Sequence, residues 1–132
     1  MIRTSAVLCS AALLAGMTAC GAEEAERVPL PDGVVMHVDQ TRVERSTRNV
    51  FVRVENGTDQ TMEISRFTLT SPRFDPVTRE SGESIPAGRD ADLELVLPST
   101  RCGDDLDATV TLTYRIGGSE ERESTGPADD SR

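Results

Sequence analysis

One histidine, three cysteines and four methionines hold the softest donor atoms of this 132-residue sequence, and they bound the chemistry it can do. His37 is the only His, so a Ser-His-Asp or Cys-His arrangement has a single available base. Neither Gly-x-Ser-x-Gly nor His-Glu-x-x-His accompanies it. Met36, His37, Met62 and Cys102 together offer thioether, imidazole and thiolate donors, a set that suits Cu(I) and makes copper handling the alternative function. The clustered Met and His spacing of copper carriers is missing, however, and both methionines also fit as core residues. Asp104, Asp105 and Asp107 fall in one short stretch, and oxygen-rich loops bind Ca²⁺. The EF-hand spacing is absent, so a solvated acidic turn is the expectation. Asn56-Gly57-Thr58 fits both a glycosylation sequon and a tight hairpin turn. No catalytic site, no metal and no cofactor is expected.

Cys20 has a different context. Arg3 gives a positive start, and Ala6 to Met17 is a run of apolar and small residues, shorter than the ~20 apolar residues of a membrane span. Met17-Thr18-Ala19-Cys20-Gly21 follows. This pattern resembles the lipobox of bacterial lipoproteins, which usually has Leu where this chain has Met17. The resemblance implies that residues 1–19 are a signal peptide. It also implies that the Cys20 sulfur receives a diacylglyceryl group, anchoring the protein to membrane lipid on the extracytoplasmic face. Ordinary secretion with cleavage near Ala19 and an uncleaved anchor are the competing outcomes. Two or three acyl chains, at ~0.8 kcal/mol per buried CH₂, hold a protein firmly where one does not. Cys9 would leave with the signal peptide. Cys102 would then be the lone free thiol, and the domain would have no internal disulfide.

Behind the anchor, residues 20–32 read as a linker, rich in Glu and interrupted by Pro29 and Pro31. Residues 33–117 read as the β-sandwich domain, with period-two alternation in several segments. Val34, Met36 and Val38 share one face of a strand that could extend through Val43, with His37 on the other face. Val50, Val52 and Val54 form a second face; Leu93, Leu95 and Leu97 a third; Val110, Leu112, Tyr114 and Ile116 the clearest. Between them the apolar phase changes from Met62 and Ile64 to Phe67 and Leu69, which predicts a β-bulge near Ser65-Arg66. Residues 71–89 contain Pro72, Pro76, Gly82, Pro86 and Gly88 and read as irregular. Residues 118–132 read as a disordered polar tail. No segment carries a helical period, so the expected fold is an all-β sandwich of about five to seven antiparallel strands. The strand at Asn49 to Glu55, its Asn-led turn and the strand with Ile64 resemble immunoglobulin-like β-sandwich modules of bacterial envelope proteins. The sequence also resembles lipoproteins of high-GC Gram-positive bacteria, and the resemblance covers about residues 33–116.

Charge restricts the partners. Fourteen basic side chains, all Arg, oppose 23 acids, for a formal net charge of -9. Such a surface argues against nucleic acid and against direct contact with anionic headgroups. Residues 42–80 carry seven Arg and six acids. If those arginines shared one sheet face, that face could dock an anionic envelope protein or polymer. The plainer expectation is cross-strand ion pairs on a solvated sheet. The resulting expectation is a tethered, non-catalytic binding module of the cell envelope.

Overall fold

The structure, a computed structural model, describes residues 25–39, 47–101 and 107–130. Seven strands make its body: β2 (Val34–Asp39), β3 (Asn49–Asn56), β4 (Met62–Ser71), β5 (Phe74–Ile85), β6 (Asp90–Val96), β7 (Thr109–Ile116) and β8 (Arg122–Pro127). Two-residue strands β1 (Glu26–Arg27) and β9 (Asp129–Asp130) flank them. They form a five-stranded sheet ordered β1-β8-β7-β4-β5 and a four-stranded sheet ordered β6-β3-β2-β9. The long pairings are antiparallel; β1 on β8 and β9 on β2 run parallel.

The period-two pattern places the core. Val34, Met36, Val50, Val52, Val54, Leu93 and Leu95 point inward from the small sheet. Met62, Ile64, Phe67, Leu69, Phe74, Ile85, Val110, Leu112 and Tyr114 meet them from the large one. The expected bulge is present: β4 changes register between Ile64 and Arg66 against both neighbours. Ser65 is the residue that shifts the apolar phase, and its hydroxyl reaches the Thr113 carbonyl at 3.1 Å.

Three segments depart from the sequence expectation. Residues 74–85, read as irregular, are the longest strand. As the outer strand of its sheet, β5 pairs only with β4, so few of its side chains are buried and no apolar alternation marks it. Pro76 is tolerated at such an edge. Residues 122–130, read as a disordered tail, supply β8 and β9. The inward positions of β8 are Ser124 and Gly126, small residues that leave no hydrophobic signature. Gly126 is closely packed: a Cβ there would lie 3.0 Å from Met36 Cε and 3.1 Å from Leu30 Cδ2, so those side-chain ends would have to give slightly. Finally, the linker enters the domain early. β1 pairs with β8, the Val28 amide donates to the Glu123 carbonyl (2.9 Å), and Leu30 packs against the core. β2 itself ends at Asp39, and the proposed continuation toward Val43 lies outside the described residues.

Candidate functional site

Strand alternation separates the donors that the sequence offers as a soft-metal set. Met36 is buried in the core, whereas His37, one residue on, projects from the opposite face of β2. There its Nε2 lies 3.4 Å from Glu55 Oε1. Met62 is fully buried in the other sheet, registered with Ile85 and Ile116. Cys20, Cys102, Asp104 and Asp105 lie outside the described residues, and Asp107 is exposed. Among the described residues, no three His, Cys, Asp or Glu side chains gather in a metal-holding group.

Asn56 of the sequon is consumed by structure. It is 1 % exposed. Its Nδ2 donates to the carbonyls of Gln60 and Ile85, both at 2.8 Å. Its Oδ1 accepts from the Thr58 hydroxyl (2.6 Å) and amide (3.1 Å). Both protons of the amide nitrogen are thus engaged, and the side chain pins the β3–β4 turn to the end of β5.

The arginines of residues 42–80 do not share a face. Arg42 and Arg45 lie outside the described residues. Arg53 lies on the outer face of the small sheet, and Arg66 on that of the large sheet, 2.8 Å from Glu80. Arg79 reaches from the β5 edge to the Glu94 carbonyl of the other sheet (2.6 Å). Arg73 sits in the β4–β5 turn, beside the backbone of Arg101.

Two surfaces remain. The first is a shallow groove of about 520 Å³ where the incoming chain crosses the large sheet. Val28 and Pro29 form one wall, Thr111 and Thr125 the floor, and the Arg27–Glu123 pair (3.4 Å) the rim. The two threonine hydroxyls hydrogen-bond one another at 2.7 Å.

The second is the outer face of the small sheet. Pairing registers divide it into rows: Asp90–Glu55–Val35, Asp92–Arg53–His37, Glu94–Phe51–Asp39 and Val96–Asn49. Five carboxylates face a single guanidinium. Arg53 is clamped by Asp92, Nε to Oδ1 at 2.8 Å and Nη2 to Oδ2 at 3.1 Å, with Asp90 at 3.6 Å. The hydrogen bond and charge of Asp92 raise the Arg53 pKa further above its already high value. A group with a raised folded pKa stabilises below its unfolded pKa and loses that contribution only as pH rises through the folded one. For this arginine that window lies far on the alkaline side, so Arg53 itself confers no pH slope near neutrality.

Sequence reasoning missed the row structure of this face. The alternation of Asp90, Asp92 and Glu94 with Leu93 and Leu95 was legible as an acidic strand face, but its partners across β3 and β2 depend on register. Compared with protein-family models and with curated proteins, the chain matches none.

Proposed function

We propose that this chain is a membrane-anchored lipoprotein of the extracytoplasmic face, acylated at Cys20, whose domain binds rather than catalyses. The observation that carries it is the Ala6 to Met17 apolar run followed by Thr18-Ala19-Cys20, the residues a lipoprotein signal requires. The domain begins close behind that cysteine. Six residues reach at most about 20 Å, so an anchor at Cys20 would keep Glu26 of β1 and the sandwich beside the bilayer. An immunoglobulin-like classification rests on the strand path. The β2–β3 hairpin is followed by β4–β5 in the other sheet, a return to β6 beside β3, then β7 beside β4 and β8 beside β7. This crossing between sheets supports an immunoglobulin-like reading, with β5 beside β4 rather than beside β6 as in constant-type domains.

The test is expression in a bacterial host with labelled palmitate, followed by detergent phase partitioning. Wild type should be labelled and enter the detergent phase, and Cys20→Ser should lose both properties. Labelling that survives the substitution, or none in wild type, overturns the anchor.

A further inference from the structure

We propose that the Glu94–Phe51–Asp39 row on the outer face of the small sheet is a docking slot for an arginine or lysine side chain of a protein partner. The register sets Phe51 of β3 directly between Glu94 of β6 and Asp39 of β2. Directly opposed side chains in a sheet stand about 5 Å apart at Cβ, so the two acidic side chains rise on either side of Phe51, and Glu94 Oε1 also accepts from Asn49 Nδ2 at 3.2 Å. Phe51 is only partly buried. Its ring can take a cation on its face, and the carboxylates then neutralise that charge. Neither carboxylate has a cationic side chain at ion-pair distance among the described residues. Arg53, in the next row, is held nearest to Asp92 and Asp90.

The apolar part of the slot is equally local. The large hydrophobic side chains exposed among the described residues are Val35 and Val96, 40 % and 54 % exposed, and both lie on this face. Val96 is the diagonal neighbour of Phe51, placed to cover the aliphatic stem of an incoming basic side chain.

Charge complementarity selects the partner and the face. The outer face of the large sheet is closer to balanced, with Arg27, Arg66 and Arg115 against Glu63, Glu80 and Glu123 in neighbouring registers and Glu121 bonded to Ser65. A basic protein surface is therefore drawn to the small sheet. The proposal names a partner chemistry for the binding module inferred above but does not depend on acylation. Palmitate labelling tests the anchor and the following titration tests the face, so either can fail alone.

The experiment uses the full chain, ¹⁵N-labelled, in non-ionic detergent micelles. It is titrated with blocked Arg-Leu-Arg-Leu peptide and, as control, blocked Gln-Leu-Gln-Leu. Amide shifts should concentrate at Asp39, Phe51, Glu94 and Val96, and the arginine peptide should bind about tenfold tighter than the control. Asp39→Asn with Glu94→Gln should abolish that preference, and Phe51→Thr should weaken binding about threefold. Val96→Thr, at the exposed edge, gives a second apolar variant if Phe51→Thr perturbs folding. Shifts spread over both sheets, equal binding of the control peptide, or indifference to both apolar variants would overturn the slot. So would movement of the Phe51 resonance on Arg42→Ser/Arg45→Ser before any peptide is added, because the chain's own 40–46 segment would then be the occupant.

Discussion

At the scale of single residues, Asn56 shows how a polar side chain becomes structural. It is buried at the end of a mainly apolar core, yet its side-chain amide is fully hydrogen-bonded by neighbouring groups. Asn56→Ala removes the side-chain donor from the Ile85 carbonyl and the acceptor from the Thr58 amide, while the Thr58 hydroxyl still reaches the Gln60 carbonyl at 3.0 Å. A buried unpaired group costs about 1–3 kcal/mol, so the substitution should lower stability by about 2–4 kcal/mol in a denaturant melt. Asn56→Asp keeps the shape but aims a carboxylate at two carbonyl oxygens. Folding then favours the protonated acid, which binds more protons folded than unfolded, so stability should fall as pH rises from about 4 to 7. A pH-independent melt would show that the Asp side chain had turned out to solvent. Turn chemistry made this position visible in the sequence, as did the alternation that put Met36 inward and His37 outward. The docking row was not visible. It is assembled from β2, β3 and β6, and one residue of slip in either pairing would replace Glu94 or Asp39 by an inward-facing neighbour.

At the scale of elements, apolar alternation identified strands that bury a full face and missed those that do not. β5 is an edge strand, and β8 presents Ser124 and Gly126 inward, so neither announces itself. β8 nevertheless closes the domain. The Ser124 hydroxyl has one proton, which it donates to the Val28 carbonyl at 2.9 Å. The Tyr114 hydroxyl must therefore donate to Ser124 across 2.7 Å. Ser124 thus joins the incoming chain, β7 and β8 at one buried point. Ser124→Ala leaves the fully buried Tyr114 hydroxyl without its partner and should cost about 1–3 kcal/mol. Tyr114→Phe added to it removes the stranded hydroxyl, so the double variant should cost less than the sum of the singles. Strict additivity in denaturant midpoints would sever the chain of bonds inferred here. The edges are handled differently. β5 carries Pro76 and a register irregularity opposite Ser65, and its Arg79 and Glu80 are charged. These features hinder pairing with another strand. Among the described residues, no comparable device covers the face of β6, β3 and β2, which is where a partner is proposed.

At the scale of the whole molecule, the division between layers matters more than the division along the chain. Counting charge by segment groups Arg53, Arg66, Arg73 and Arg79, which the fold sends to two outer faces, an edge and a turn. Counting by sheet instead gives one face closer to balanced and one acidic face. The same two-layer geometry makes a sharp prediction about stability. β7 lies within the large sheet, between β4 and β8. Leu112 is fully buried against the opposing layer, while Thr111, one residue away, faces outward, partly exposed and bonded to Thr125. Leu112→Ala loses transfer energy and leaves a cavity, about 2–5 kcal/mol. A small domain of about 5–15 kcal/mol total stability would be left near its unfolding threshold. Thr111→Ala loses one surface hydroxyl pair and should cost under about 1 kcal/mol. Thr113 must be kept out of the comparison, because it is 8 % exposed beside the bulge, although it shares the outward phase. Chemical denaturation of the two variants decides between architectures. A large difference in midpoint is required if the Thr111 face meets water. Equal damage would mean that something covers that face in the native protein, and the two-layer sandwich would be only part of the assembled structure.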